Sequence, residues 1–284
     1  MSRGTRWFVS ALGAGLVHVS VSAAALFNPL AAHAQSDAPL VLLQDAFDRM
    51  FNYPSVRTVS LRIHRAGRVT ERVFEVAYKR VAGGGRTLLR FKEPPYLRGT
   101  ILLVVETHGA ASDTWLYQPS WRRARRVSTG QKGDSFFGSD LTFEDLEHHD
   151  WSRWALQMLA PAEEDGRLCE RVEAVPNEAS QYARIVAWIV PVSGALARVD
   201  FHRSAQAPAF KSLRVPVDEI ETSGDVLLPA RMWFRVYGRD AATEVRFDRI
   251  ERDPEIADAL FSASRLEHGG RDLFRAVERL RDKQ

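Results

Sequence analysis

Run after run along this chain, apolar and polar side chains alternate at every second position, and a period of two is the signature of half-buried β-strands. Val59, Leu61 and Ile63 alternate with Ser60, Arg62 and His64. Phe74, Val76 and Tyr78 alternate with Val73, Glu75, Ala77 and Lys79, and Leu89 and Phe91 with Arg90 and Lys92. Ala66-Gly67 and Gly83 to Gly85 read as turns between these runs, and Pro94-Pro95 ends the third. Ile101 to Val105 is apolar on both faces, which suits a central strand covered on each side, and Thr114 to Gln118 with Arg122 to Ser128 reads as a hairpin. After an irregular stretch from Thr129 to Asp150, strand-like runs return at Cys169 to Ala174, Tyr182 to Val190, Leu196 to Arg203, Phe210 to Val215, Ala230 to Tyr237 and Thr243 to Ile250.

About ten or eleven strands are therefore expected, mostly joined by connections too short for a parallel crossover. The fold class predicted is mainly β with a few helices: one large antiparallel sheet, curled by accumulated strand twist into an unclosed barrel and capped by helices. Helical spacing appears at Leu40, Leu43, Phe47, Met50 and Phe51; shorter helices are expected after Thr142 and from Pro254 through Leu260. So few helices cover a large apolar sheet only in part, and a curled sheet under a thin lid leaves a cavity suited to apolar ligands.

The N-terminus reads as an export signal. Arg3 and Arg6 precede the apolar stretch Trp7 to Leu30, and Ala32-His33-Ala34 supplies small residues where a signal peptidase reads, predicting cleavage before Gln35. Residues 1–34 are thus expected to be a signal peptide and residues 35–284 a single domain in the periplasm. Losing Arg3 and Arg6 and no acidic residue lowers the formal charge from +3 to +1, a balance with no footprint for nucleic acid. Cys169 is the single cysteine, so no internal disulfide forms. Leu273, Phe274, Val277 and Leu280 share a helical face among arginines, making residues 270–284 a basic amphipathic tail.

The candidate cavity residues are the alternating apolar positions Phe74, Val76, Tyr78, Leu89, Phe91, Met232, Phe234 and Val236, with Trp115 and Tyr117 at its mouth, where amphipathic rings keep one end wet. The competing role for each is plain core packing. Arg122, Arg123, Arg125 and Arg126 offer guanidinium forks to a phosphate head group or an acidic partner. Their competing roles are a solvated strand edge, or pairing with the downstream acids Asp134, Asp140, Glu144 and Asp145. His148-His149-Asp150 has the wrong spacing for one metal ion, since neighbouring side chains diverge, and Cys169 stands in no motif, as a buried inert thiol would. No Gly-x-Ser-x-Gly nucleophile elbow occurs, and neither a cofactor nor a metal is expected.

One segment carries a resemblance. Arg98-Gly99-Thr100, then Asp113-Thr114-Trp115-Leu116-Tyr117-Gln118-Pro119, then Arg122-Arg123-Ala124-Arg125-Arg126, then Gly133-Asp134-Ser135-Phe136-Phe137-Gly138-Ser139-Asp140-Leu141-Thr142-Phe143-Glu144-Asp145-Leu146 resembles the outer-membrane lipoprotein-sorting proteins, relatives of the LolA and LolB lipoprotein carriers. The resemblance implies an unclosed barrel of about eleven antiparallel strands that holds acyl chains in a hydrophobic cavity in the periplasm, without catalysis. It also implies service to exporters of the resistance-nodulation-division type. Gln118 departs from the pattern where a second apolar residue is usual, and so does the charged tail beyond Leu266. The reading is a monomeric periplasmic carrier of lipid or lipoprotein acyl chains. Its rivals are a lipid-sensing or transporter-scaffolding module and, less favoured, an extracytoplasmic hydrolase. A transmembrane barrel is disfavoured, because the wet faces carry many Arg and Glu side chains rather than an outward apolar band.

Overall fold

Most of the alternating runs pair with their neighbours in sequence, and the pairing builds one sheet. A computed structural model of the chain describes residues 29–267, with side chains from residue 37 onward. The chain divides into Met1–Gln35, of which only the opening of a helix is described, and Ser36–Gln284. The expected signal peptide thus falls almost wholly outside the described residues, and the expected tail helix entirely so. Among the described residues no helix is long and apolar enough to cross a membrane.

Helix α1 (Pro29–Met50) leads into a meander of β1 (Ser55–Arg65), β2 (Arg68–Val81), β3 (Gly84–Glu93), β4 (Ile101–Val105), β5 (Asp113–Gln118) and β6 (Arg123–Arg126). A long irregular segment follows, then β7 (Trp154–Glu164), β8 (Arg167–Pro176), β9 (Arg184–Ile189), β10 (Leu196–His202) and β11 (Lys211–Arg214). The short pair β12 (Ile220–Ser223) and β13 (Val226–Pro229), then β14 (Arg231–Val236), β15 (Ala241–Arg252) and α2 (Ala263–Leu266) complete the order. Thirteen strands form a single sheet in the order β6-β5-β4-β3-β2-β1-β15-β14-β11-β10-β9-β8-β7, with every pairing antiparallel and β6 and β7 left as edges, so the barrel is not closed.

The sheet holds more strands than the alternation predicted. β7 escapes the sequence pattern because it is an edge, exposed on much of both faces, and carries Pro161 within a register shift between Leu159 and Ala162. A proline and a bulge are what blunt an edge against pairing with another chain. The opposite edge, β6, is blunted by charge, with Arg122, Arg123, Arg125 and Arg126 all exposed. The β12–β13 pair, two four-residue strands that pair only with each other, was not among the expected strands.

The two faces of the sheet are covered by different things. Leu43, Ala46 and Met50 of α1 are buried against the inner face, joined by Phe47 and Phe51, as the helical spacing predicted. Arg49 anchors the helix by donating to the carbonyls of Ser193 (2.8 Å) and Asp225 (2.8 Å). Gly194, at φ +69°, lies beneath it, where an added Cβ would stand 2.7 Å from Arg49 Nη1. The outer face of β4 is also covered: Ile101 and Leu103 pack with Val56, Ala77, Leu88 and Tyr117 under Ile256, Leu260, Phe261 and Leu266. The C-terminal segment, expected to help fill the inside as a helix from Pro254, instead straps the outside, with only a single 3-10 turn (Asp258–Leu260) and α2. Lys79 pins the strap through the carbonyl of Ile256 (2.6 Å) and the carboxylate of Asp258 (2.6 Å).

The inner lid is completed by the segment left irregular in the sequence. The helix expected after Thr142 is one 3-10 turn, Glu144–Leu146. The segment is held by side chains that reach the sheet: Thr243 donates to Asp140 (2.8 Å), and Thr114 (2.5 Å) and Lys132 (2.8 Å) donate to Glu147. Its Phe136, wholly buried, inserts among Phe74, Phe91, Phe137 and Phe143.

Candidate functional site

Between α1, the irregular lid and the inner face lies a cavity of about 180 Å³. Inward residues from nine adjacent strands, β4 through β9, line it, from Leu102 on β4 to Ile185 on β9. Nine strands laid flat would span roughly 38 Å at the usual inter-strand spacing, so the sheet has to curl for both ends to reach one cavity. Val59, Leu61, Phe74, Val76, Leu89, Leu213, Met232, Phe234, Val245 and Phe247 give it apolar walls, and Phe47 and Phe51 form part of its roof.

Asp145 and Glu147 of the lid border it, and its other polar residues are grouped. At one end Asn52, Arg57, Tyr78, Thr87, His148, His149 and Trp151 border it, where the C-terminus of α1 meets the start of β1 and the β2–β3 turn region. Asn52, Tyr78, His148 and His149 also border a neighbouring cleft of about 110 Å³. His148 donates from Nδ1 to Glu106 at 2.5 Å and stands edge-on to Tyr78, whose hydroxyl is pushed up by burial. His149 packs edge-on to Trp151 and tilted against Trp154, and burial lowers its pKa to about 4, so it is a neutral imidazole at pH 7. Burial also raises Glu144 and Glu147 against the pull of their hydrogen bonds.

Asp145 also borders the cavity and pairs at 2.5 Å with Lys211, which is wholly buried beside it, its ammonium 4.6 Å from the ring centre of Phe201. Tyr182 donates to Asp145 at 2.6 Å and accepts from Lys211, and burial raises its hydroxyl well above the ordinary phenol value. Lys211, Asp145 and Tyr182 satisfy one another, and none presents an activated nucleophile to the cavity. Among the described residues no cluster of His, Cys, Asp and Glu is arranged to hold a metal ion.

Six of the residues picked from the alternation border the cavity: Phe74, Val76, Tyr78, Leu89, Met232 and Phe234. Phe91 does not; it is wholly buried, 5.4 Å from Phe74 and 4.7 Å from Phe137 in ring-centre distance, inside solid packing. Val236 lies two residues past Phe234, half-buried and beyond the cavity lining. Trp115 and Tyr117 sit on the opposite face of the sheet, since they pair with Leu103 and Ile101 and pack in the outer cluster. On β5 the inward side chain is Leu116, and side chains one residue apart point to opposite faces.

The arginine run and the acidic string do not pair. Arg126 bonds Asp113 and Arg125 lies 4.5 Å over the ring of Trp121. Asp145 goes to Lys211, Asp140 to Thr243, and Glu144 to Ser180 and the amide of Gln181, while Asp134 is exposed. Cys169 is buried, its thiol pushed up by burial and turned to the carbonyl of Arg167. Arg57 and Lys211 went unnoticed in the sequence, yet each had a signal. Arg57 precedes Val59 and Leu61 in the same parity, and Lys211 shares the parity of Leu213, so each is a charge on an apolar face.

A family model described as "Uncharacterized protein" matches residues 83–268. No curated protein matches the chain. Among solved structures, a domain described as an outer membrane lipoprotein-sorting protein from Vibrio parahaemolyticus is similar at a TM-score of 0.74 and 21% identity, covering 82% of this chain and 99% of that one. A DUF1329 family protein from Desulfovibrio piger gives 0.71 and 24%, covering 82% and 98%. A LolA superfamily protein from Nitrosomonas europaea gives 0.65 and 14%, covering 80% and 98%.

Proposed function

We propose that this chain, which belongs to the family matched over residues 83–268 and has the fold of the outer membrane lipoprotein-sorting and LolA superfamily proteins, is a carrier that holds acyl chains of lipids or lipoproteins. The observation that carries the reading is the apolar cavity under an unclosed sheet. An engineered apolar cavity of about 150 Å³ stays dry and takes up a small hydrocarbon, so a space of this size and lining suits a segment of acyl chain. The N-terminal Arg3, Arg6 and Ala32-His33-Ala34 pattern supports export, and with it a periplasmic place of work. Service to an exporter of the resistance-nodulation-division type rests on the resemblance over Arg98 to Leu146.

The test is uptake of a fluorescent acyl probe by delipidated protein, with mass spectrometry of what copurifies. Wild type should take up the probe and carry lipid from the cell. Val76 is half-buried and borders the cavity, so Val76→Trp should fill the space and weaken uptake about tenfold or more while the protein still folds. Equal uptake by Val76→Trp and wild type, or none by wild type, would sink the carrier reading.

A further inference from the structure

Four buried polar groups border a mainly apolar cavity whose two lining carboxylates are already paired, Asp145 with Lys211 and Glu147 with Lys132. Asn52, Arg57, Thr87 and Trp151 are 5%, 7%, 8% and 0% exposed, and all four border the cavity. Asn52 Oδ1, Thr87 Oγ1 and Trp151 Nε1 have no hydrogen-bond partner among the described residues. Buried polar atoms are rarely left unpaired; Trp151 Nε1 and Thr87 Oγ1 can donate to a polar group of a ligand there, whereas Asn52 Oδ1 is an acceptor and counts for a hydroxyl or protonated oxygen rather than an anion.

Arg57 gives that group its charge. Its Nε donates to Ser55 Oγ (2.9 Å) and its Nη2 to the carbonyl of Phe51 (2.8 Å), and its guanidinium lies 4.3 Å from the ring centre of Tyr53. Two of five N–H donors are thereby used. No carboxylate of the described residues forms an ion pair with it, although buried guanidinium groups are ordinarily paired with one. Burial lowers its basicity, and the neighbours pulling it back up are the phenols of Tyr53 and Tyr78. Lys211, a buried cation near the cavity, has its counter-ion in Asp145, and Arg57 contrasts with it.

We propose that this end of the cavity is a head-group site for an anionic acyl amphiphile, with Arg57 as counter-ion to its carboxylate or phosphate and Trp151 Nε1 as a second donor. The proposal rests on the carrier reading and narrows it: the preferred ligand carries a negative head beside its chain, and a neutral ester of the same chain is a poor substitute. A guanidinium offers two parallel N–H groups to either anion, and no water screens the pair once the chain fills the cavity.

Calorimetric titration of the delipidated protein with lauric acid, dodecyl phosphate and methyl laurate separates head from chain. Wild type should bind at least one anion about tenfold or more tighter than methyl laurate, and the tighter of the two identifies the head. Arg57→Gln should bring the anions down to the affinity of methyl laurate while leaving methyl laurate unchanged. Because Arg57 also holds the C-terminus of α1, Trp151→Phe serves as a second probe, expected to weaken the anions and spare the ester. Equal binding of all three ligands by wild type overturns the head-group site and leaves the carrier reading standing. Binding of none of the three overturns both.

Discussion

On β2 and β3, Phe74 pairs with Phe91 and Val76 with Leu89, yet of these four only Phe91 lies in solid packing while the other three border the cavity. Phe91 is enclosed by Phe74, Phe136 and Phe137, the last two from the lid. Phe91→Ala should therefore cost about 3–5 kcal/mol in chemical denaturation, as for a ring removed from a full core. A loss under about 1 kcal/mol would mean that Phe91 faces open space. His149 makes a second residue-scale prediction. Its folded pKa of about 4 lies below the ordinary 6.5, so the unfolded chain binds the proton more readily. The stability it lends is whole above pH 6.5 and falls as pH drops from 6.5 toward 4, by about 3 kcal/mol at most. Glu144 and Glu147, raised by burial, act in the opposite sense, so the measurement is the difference between wild type and His149→Phe across that window. Parallel stability curves for the two proteins would show that His149 titrates normally.

At the scale of elements, the C-terminal strap does what no strand can, covering the outer side of β4 and its neighbours. Ile256, Leu260, Phe261 and Leu266 are buried there, and each apolar side chain of this size contributes about 1.5–3 kcal/mol by burial. A chain ending at Asp253 should lose on the order of 5 kcal/mol or more and expose the outer faces of Ile101 and Leu103 to an apolar dye. A chain ending at Gly269 should keep its melting temperature within a few degrees. If the shorter chain melts like the longer one, the strap is an ornament and not a wall. The β6 edge was more legible than the strap or the β7 edge, for a physical reason: its three arginines are a local device, whereas strap docking depends on apolar residues more than 130 positions away in sequence.

For the whole molecule, a ligand that binds only the folded state stabilises it by mass action, by about 2.7 kcal/mol at a hundred times its dissociation constant. In a domain of this size that corresponds to a rise of about 5–10 °C in melting temperature for delipidated protein loaded with an acyl ligand. The same ligand should raise Val76→Trp far less, because its cavity is already filled. A common rise in both would place the binding elsewhere on the surface.

The alternation by itself determined that the chain is a large antiparallel sheet, since a period of two fixes which residues share a face, and short turns allow only antiparallel neighbours. It also picked six residues that border the cavity, because Phe74, Val76 and Tyr78 must lie on one side of β2 whatever else the chain does. What it left open was which side of each strand is inside. Trp115 and Tyr117 obey the same period as Leu116 and went to the outer face, a choice made by their register against Ile101 and Leu103 and by the strap that arrives from residue 256 onward. The lid was equally hidden, since residues 129–153 have no period and are held by individual contacts such as Thr243 to Asp140 and Lys211 to Asp145. Arg57 meets its environment only when α1, β1 and the lid come together, so its missing counter-ion is a fact of the tertiary structure alone: charge is written in the sequence, but the loss of solvent around it is not.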